Sequence, residues 1–246
     1  MSSAAVGQAL RLPTFENGNR SGCPTICLFT SLVVYHDIDS RTAAMNMAID
    51  EALLENATAP LIRFYRWDHP ALSFGYFGKF ADVENHQSGR DLVRRWTGGG
   101  IVFHGDDLTY SILIPASNPA FGESAISIYE MAHLALRDAL IAHGQRVELA
   151  ANGAPKISDS CFANPVWADV LANGRKIAGA AQRRTRRGLL QQGSIQDVDL
   201  AADFQKTFAS QLSDNCCEQT ISPHILERAQ EIADEKYAAL SWLRRR

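Results

Sequence analysis

A run of three glycines interrupts a strand-like stretch at residues 94–104, which reads RRWTGGGIVFH. Without a Cβ atom, Gly98, Gly99 and Gly100 reach backbone conformations closed to other residues, and main-chain N–H groups can then approach a ligand closely. Consecutive glycines weaken a strand, so packing alone explains them poorly. A flexible turn is the plain alternative. The two arginines before the run and His104 after it favour a loop that binds a phosphate, a carboxylate or an acyl carbonyl.

Length and composition indicate a single domain without a nucleic-acid or membrane partner. The chain has 246 residues, 46% of them hydrophobic, which is enough for a substantial core. We expect one domain over residues 31–246 and a loosely ordered N-terminal arm over residues 1–30. The net charge of −3 argues against nucleic acid. No apolar run approaches the roughly 20 residues that span a bilayer, and no signal peptide is recognisable, so we expect a cytoplasmic location.

The five cysteines predict reduced thiols rather than disulfides. Five is an odd number, and the adjacent Cys216 and Cys217 suit a disulfide framework poorly. Cys23 and Cys27 are spaced as in some metal sites, but no second Cys/His pair lies near them in the sequence to complete a tetrahedron. We therefore predict no bound metal.

Apolar periodicity and turn signals predict an α+β fold. Three helices are expected from caps and helical spacing: residues 42–56, a helix from a capping box at Ser127 and Glu130 to Gly144, and a last helix from Ser222 and Pro223 towards Trp242. Strands are expected from their composition and turns: residues 61–67, 71–76, 92–96, 108–114, 166–172 and 175–182. Hairpins with few helices, and no regular strand-helix alternation, indicate a mixed, mostly antiparallel sheet packed with helices.

Residues 173–174 are Asn-Gly between two apolar runs, the strongest short hairpin signal in the chain. A two-residue turn there places Leu171 opposite Lys176 and Asp169 opposite Ala178. Asp169 and Lys176 are then diagonal neighbours, about 7–8 Å apart between Cα atoms, so the carboxylate can orient the ammonium. A surface ion pair of little energetic worth is the alternative.

Small residues beyond Lys176 favour a ligand site at this hairpin. Gly179 and Ala180 leave room for a ligand to lie along the backbone. Lys176 is then a candidate for holding a carbonyl or phosphate oxygen.

Two neighbouring segments carry further candidates. Cys161 lies in a loop-like segment before the hairpin; a thiol near cations can act as a nucleophile, although a single cysteine is more often inert packing. Residues 183–187 contain four arginines after the hairpin. A solvated face is the simplest interpretation of these arginines, and docking of an acidic macromolecule or a phosphate-bearing carrier is the functional one.

Six segments between about residues 35 and 230 form an ordered set of motifs: NMAIDEALL at 46–54, RFYRW at 63–67, the loop at 94–104, LTYS at 108–111, GRKIAG at 174–179 and QGSI at 192–195. In this order they resemble the superfamily of lipoate-protein ligases, octanoyltransferases and biotin ligases. Several matched motifs in sequence are far more specific than any one of them.

The resemblance implies a biotin/lipoyl ligase-like catalytic domain that transfers a lipoyl or octanoyl group to one lysine of a carrier domain. Lys176 matches the lysine that contacts the activated carbonyl or phosphate, and residues 94–104 match the acyl-binding loop. With the hairpin included, the candidate substrate-binding residues are Arg95, Thr97, Gly98, Gly99, Gly100, His104, Asp169, Gly179 and Ala180.

Two branches of this superfamily differ in their chemistry. ATP-dependent ligases typically carry Asn-Asp before the turn, where this chain has Ala168 and Asp169. Cysteine-dependent octanoyltransferases, and the related amidotransferases that transfer the group between two lipoyl domains, carry Cys-Phe-x-x-Pro upstream of the hairpin, which residues 161–165 match. The resemblance therefore implies Cys161 as the nucleophile and Lys176 as the second catalytic residue.

The implied reaction moves an octanoyl or lipoyl group from an acyl-carrier thioester to Cys161, and octanoyl-acyl carrier protein is the implied octanoyl donor. The group then passes to a lysine of a lipoyl domain, such as glycine cleavage H protein or the E2 of a 2-oxoacid dehydrogenase. A thioester is already activated, so this transferase requires no cofactor or metal. The alternative is a lipoate-protein ligase that uses ATP and Mg and acts through lipoyl-AMP. A non-catalytic acyl- or biotin-binding module is the third possibility.

Overall fold

The computed structural model describes residues 27–151 and 165–245. Of the expected N-terminal arm, only the last residues are therefore described, and Phe29 among them is buried in the core. Cys161 lies outside the described residues.

Strands and helices alternate irregularly along the described residues. The strands are β1 (Leu32–His36), β2 (Leu61–Tyr65), β3 (Ala71–Phe74), β4 (Asp91–Arg94), β5 (Ile101–His104), β6 (Leu108–Pro115), β7 (Val147–Leu149), β8 (Val170–Ala172), β9 (Arg175–Arg184), β10 (Gly188–Ile195) and β11 (Cys216–Gln219). The α-helices are α1 (Ala43–Asn56), α2 (Ala125–Ala142), α3 (Phe204–Leu212), α4 (Pro223–Ile232) and α5 (Leu240–Leu243).

The strands form one large and one small sheet. The large sheet has the order β11-β1-β2-β6-β10-β9-β8-β7, and the small one β4-β3-β5. β1 pairs in parallel with β2 and β11, and β3 pairs in parallel with β4. The remaining neighbours are antiparallel. The predicted α+β class with a mixed, mostly antiparallel sheet is confirmed.

Helices cover both faces of the large sheet. Successive residues of central strand β6 point to opposite faces: Ile112 packs in the cluster that contains Leu136 of α2, and Leu113 packs in the cluster that contains Ile49 of α1 and Ala229 of α4. All eight residues of β6 are buried. The large sheet is therefore the middle layer of three.

Capping side chains set the starts of the first two helices. Thr42 Oγ1 accepts the N–H of Met45 at 3.2 Å, as the sequence predicted. The predicted start at Ser127 is wrong, because Ser124 Oγ accepts the Ser127 N–H at 3.0 Å and places Ser127 in the first turn of α2. Gly144, with φ of +81°, ends this helix as predicted.

The last helix is interrupted, which the sequence did not predict. After α4, residues 233–237 form a π-helical turn, and α5 follows as a separate short helix. The buried guanidinium of Arg94 donates to the carbonyl oxygens of Trp242 at 3.0 Å, Leu243 at 3.0 Å and Arg245 at 2.7 Å. These hydrogen bonds hold the end of the described chain across β4.

The hairpin between β8 and β9 has the predicted turn. Asn173 and Gly174 have φ of 51° and 75°, and positive φ at both central residues defines a type I′ turn. An added Cβ at Gly174 would meet no atom within 4 Å. Any effect of a side chain at Gly174 therefore comes from the backbone conformation alone.

We expect Gly174→Ala to lower the free energy of unfolding by about 1–2 kcal/mol, since the left-handed region is unfavourable for an L-residue. Urea unfolding measures the change. Gly122→Ala is the matched control, because its Cβ also meets no atom within 4 Å and its φ is not positive. The control should leave stability unchanged or raise it by up to about 1 kcal/mol. Equal losses in both variants would contradict the assignment to backbone strain.

Candidate active site

A narrow cavity lies between strands of both sheets and α1. Its volume is about 40 Å³, room for one or two water molecules. Five of the predicted residues line it: Arg95, His104, Lys176, Gly179 and Ala180. Other lining residues include Met47, Tyr65, Trp67, Ser73, Val102, Thr109, Gln192 and Ser194. Thr97, Asp169 and the three loop glycines do not line the cavity, and Cys161 is outside the described residues.

Lys176 and Asp169 form a buried ion pair beside this cavity. Nζ lies 2.8 Å from Oδ2, and the two side chains are 5% and 0% exposed. The alternative of a surface ion pair is therefore wrong. Asp169 also accepts the N–H of Val166 at 2.7 Å and the hydroxyl of Tyr129 at 2.5 Å. These additional donors compensate the buried carboxylate and fix the direction of the lysine.

Gly179 is required because Lys176 and Asp169 occupy the space beside it. A Cβ at Gly179 would lie 2.3 Å from Lys176 Cε and 2.8 Å from Asp169 Oδ1. The prediction that Asp169 lies opposite Ala178 was wrong. The strand register shifts by one residue between Val170 and Leu171, so Val170 pairs with Ala178. Ala178 consequently packs in the core, and Gly179 lies next to the lysine.

Two residues of α2 hold this arrangement and were not predicted. Tyr129 donates to Asp169 and accepts the N–H of Ala180 at 3.2 Å, which joins α2 to β9. His133 Nδ1 lies 2.7 Å from the carbonyl oxygen of Ala168. Burial lowers the pKa of His133 to about 4, so its neutral ring donates from Nδ1. The i, i+4 spacing of the two residues is the signal that could have linked them.

Arg95 holds the glycine loop by its carbonyl groups. Its Nη2 donates to the carbonyl oxygens of Gly98 at 3.1 Å and Gly100 at 2.9 Å. Gly99 has φ of +87°, which favours glycine. A Cβ on Gly75 would lie 2.1 Å from the Gly99 carbonyl oxygen, so the loop and the turn after β3 pack backbone to backbone. Packing therefore requires glycine at position 75, whereas the positive φ of Gly99 accounts for one glycine of the run itself.

Thr97 ties the other side of the loop to a buried polar centre. Its hydroxyl donates to Gln192 Oε1 at 2.8 Å, and Gln192 Nε2 donates to Asp50 Oδ2 at 2.7 Å. Asp50 also accepts from Ser111 at 2.5 Å and from Arg63 at 2.9 Å. Thr97 is thus buried by a structural contact rather than directed into the cavity.

His104 lies between Ser73 and Asp107 at the end of β5. Nε2 is 2.7 Å from Ser73 Oγ, Nδ1 is 2.8 Å from Asp107 Oδ2, and the ring stacks on Trp67 at 4.0 Å. Burial lowers the pKa of His104. Burial acts to raise the pKa of Asp107, but hydrogen bonds from His104 and Ser194 outweigh it and lower that pKa. A neutral imidazole therefore donates from Nδ1 to an ionised carboxylate.

The arginines of residues 183–187 contact different parts of the protein. Arg183 stacks over the ring of Tyr76 at 4.6 Å. Arg187 forms an ion pair with Glu55 at 2.5 Å. A carrier-docking role for this segment stays a prediction.

The described part of the chain has one group of side chains close enough to share a metal ion, and its members Asp68, His69 and Asp91 are all exposed. None of them lines the cavity. No helix within residues 27–151 and 165–245 is long and apolar enough to cross a membrane. The charged or titratable groups at the cavity lining itself belong to Tyr65, Arg95, His104 and Lys176.

Residues 42–235 match the family described as Lipoyl protein ligase A/B catalytic domain. Curated relatives named Octanoyltransferase LipM are 36% identical over 183 residues in Brevibacillus brevis, 37% over 192 in Oceanobacillus iheyensis and 36% over 178 in Staphylococcus aureus. The alignments cover 66%, 71% and 65% of this chain, and 66%, 68% and 64% of the relatives. The chain thus spans about two thirds of the length of the relatives it matches.

Solved structures share the fold. Lipoate-protein ligase A bound with ATP has a TM-score of 0.66 at 21% identity, over 87% of this chain and 98% of that chain. The bi-partite lipoate protein ligase of Thermoplasma acidophilum has a TM-score of 0.63 at 21% identity, over 87% of this chain and 95% of that chain. At these identities the likeness concerns the fold alone.

Proposed function

The chain belongs to the lipoyl protein ligase A/B catalytic domain family, and we propose that it transfers an octanoyl or lipoyl group from a carrier thioester to a lysine of a lipoyl domain. The buried pair of Lys176 and Asp169 at the cavity carries this proposal. It fixes an ammonium group at the cavity, which supports a role for Lys176 as the donor to an acyl carbonyl that develops negative charge. The relatives named octanoyltransferase support the choice of acyl group.

Cys161 is the proposed nucleophile. Its thiolate attacks the thioester carbonyl, the tetrahedral intermediate expels the carrier thiolate, which takes up a proton, and the octanoyl group stays on Sγ. The neutral amine of the acceptor lysine then attacks this thioester and loses a proton. The amide forms, and the Cys161 thiolate is regenerated. In both steps Lys176 donates a hydrogen bond to the oxyanion.

The other predicted residues are proposed to bind the acyl group or to support those that do. Arg95, His104, Gly179 and Ala180 line the cavity and contact the ligand directly. The cavity volume of about 40 Å³ is smaller than an eight-carbon chain, so part of the chain extends beyond the cavity or wall side chains move. The glycine loop, Thr97 and Asp169 act from outside the lining by holding Arg95 and Lys176.

Octanoyl-acyl carrier protein is the proposed donor, and lipoyl domains of glycine cleavage H protein or 2-oxoacid dehydrogenase E2 are the proposed acceptors. The proposed location is the cytoplasm. The thioester already carries the activation, so the transfer requires no ATP or metal. The alternative is an ATP-dependent lipoate ligase. The fold shared with lipoate-protein ligase A bound with ATP is compatible with this alternative. Against it, Ala168 stands where such ligases typically carry Asn.

Intact-protein mass spectrometry after mixing with octanoyl-acyl carrier protein, without ATP, tests this function. We expect one added octanoyl group on the wild-type protein and none on Cys161→Ser. Cys217→Ser is the matched control, since that exposed thiol has no assigned role, and it should retain the adduct. Absence of the adduct, with modification of a lipoyl domain only when lipoate and ATP are supplied, would establish the ligase instead.

A further inference from the structure

Ser73, His104 and Asp107 form a hydrogen-bonded chain with the spacing of a hydrolase triad. The serine oxygen lies 2.7 Å from the imidazole, and the imidazole lies 2.8 Å from the carboxylate. The three residues are 0%, 5% and 6% exposed. Hydroxyl, imidazole and carboxylate follow one another as in Ser-His-Asp catalytic sites. The proposed acyl transfer through Cys161 places His104 at the ligand but assigns no role to Ser73 or Asp107.

Ser73 is poorly placed to be a nucleophile. Its Oγ accepts a 2.6 Å hydrogen bond from Arg95 Nη1 while the hydroxyl faces His104. A charge-assisted hydrogen bond withdraws electron density from the oxygen that would attack. Ser73 instead connects His104 to Arg95. We call Arg95, Ser73, His104 and Asp107 together the relay.

Asp107 sets the direction of the hydrogen bonds in the relay. Its Oδ2 accepts the hydroxyls of Thr109 at 2.9 Å and Ser194 at 2.7 Å, and its Oδ1 accepts the N–H of Gly105 at 3.0 Å. An ionised carboxylate only accepts, so His104 donates from Nδ1 and leaves Nε2 to accept the Ser73 proton. The Ser73 oxygen then has its lone pairs available for the guanidinium.

We propose that Asp107, His104 and Ser73 are positioning residues, which fix Arg95 and, through it, hold the glycine loop in the conformation that binds the acyl group. Arg95 lines the cavity, and its second Nη holds the carbonyl groups of Gly98 and Gly100. The acyl identity of the bound group rests on the proposed function, whereas the positioning of Arg95 rests only on the hydrogen bonds of the relay.

The charges around His104 give the relay a pH dependence. Asp107 faces Nδ1, Arg95 approaches through Ser73, Arg90 donates to the His104 carbonyl oxygen at 2.8 Å, and Lys176 lines the same cavity. Burial, and then the two arginines, hold the pKa of His104 below its ordinary 6.5 despite Asp107. The relay is therefore intact above pH 6.5 and is lost as the pH falls through the lowered value. Protonated Nε2 no longer accepts from the Ser73 hydroxyl.

Hydrogen–deuterium exchange of residues 95–101 tests the relay without any substrate. Asp107→Asn and Ser73→Ala should each raise exchange in this segment about tenfold at pH 7, the effect of one lost net hydrogen bond. Exchange in α2 should stay unchanged, and Ser210→Ala, at an exposed serine, should change neither segment. Unaltered exchange of residues 95–101 in both Asp107→Asn and Ser73→Ala would overturn the proposal.

Two further measurements separate positioning from a general loss of structure. In ¹⁵N NMR, His104 should carry its proton on Nδ1 in the wild type and on Nε2 in Asp107→Asn, because an amide N–H can donate to Nδ1. Hydrogen–deuterium exchange of residues 95–101, corrected for its intrinsic pH dependence, should rise on acidification of the wild type, because protonation of His104 breaks the relay. In His104→Gln it should show no such transition, since the amide accepts from Ser73 without titrating. The same tautomer in both proteins would contradict the proposal.

Activity supplies the last test. Asp107→Asn and Ser73→Ala should raise KM for octanoyl-acyl carrier protein about tenfold and change kcat less, since the relay acts on binding. An octanoyl adduct on Ser73 in the Cys161→Ser protein would make Ser73 a nucleophile and overturn the positioning role. If the wild type forms no adduct at all, the proposed function fails, and the exchange and NMR results still decide the relay.

Discussion

Replacement of Lys176 by methionine is expected to lower kcat for octanoyl transfer by roughly 10²–10³-fold, the usual effect of removing one oxyanion donor. Methionine keeps the length of the side chain but cannot donate a hydrogen bond. KM should change little, because the lost hydrogen bond is stronger in the transition state than with bound substrate. The rate at which a lipoyl domain gains octanoyl mass measures the effect.

The matched controls separate catalysis from stability. Lys176→Met leaves the Asp169 carboxylate buried without its cation, which destabilises the fold. The double variant Lys176→Met/Asp169→Asn removes both charges, so it should recover stability while activity stays low. Lys206→Met, at an exposed position of α3, should leave kcat unchanged. Recovery of activity in the double variant would show that Lys176 has only a structural role.

The hairpin is the part of the site that local sequence predicts best. Asn173 and Gly174 tolerate positive φ, so the turn and the pairing of Leu171 with Lys176 follow from two residues. No comparable sequence signal predicts the register shift between Val170 and Leu171. It depends on packing of Val170 in the core, which is a property of the whole fold.

The supporting residues could not be predicted from local pattern. Ser73 lies on β3, Asp107 in the turn after β5 and Tyr129 on α2, and each meets the site only through tertiary packing. Ser73 and Tyr129 contact residues that are distant in sequence. Asp107 contacts His104, three residues before it, but no motif used in the prediction includes Asp107. The family resemblance indicated Cys161, and the hairpin pattern already indicated Lys176 with Asp169 as its partner. The structure adds Tyr129, which holds Asp169.

Arg63→Met is expected to lower the free energy of unfolding by about 3–5 kcal/mol, as when one partner of a buried ion pair is removed. The Arg63 side chain is fully buried and donates to Asp50 at 2.9 Å and Asp37 at 2.7 Å. It also donates to the carbonyl and side-chain oxygens of Asn46 at 3.0 Å and 2.7 Å. Burial acts to lower the pKa of Arg63, but Asp50 and Asp37 outweigh it and raise that pKa.

Urea unfolding measures this loss against two controls. Arg175→Met breaks an ion pair with Asp197 whose side chains are 78% and 62% exposed, and it should cost less than about 1 kcal/mol. The double variant Arg63→Met/Asp50→Asn should recover part of the loss, because no uncompensated carboxylate remains at that position. A loss in Arg63→Met no larger than in Arg175→Met would show that Asp50 finds compensation without the arginine. In that case Gln192 and Ser111, which both donate to Asp50, suffice to anchor the Thr97 side of the glycine loop.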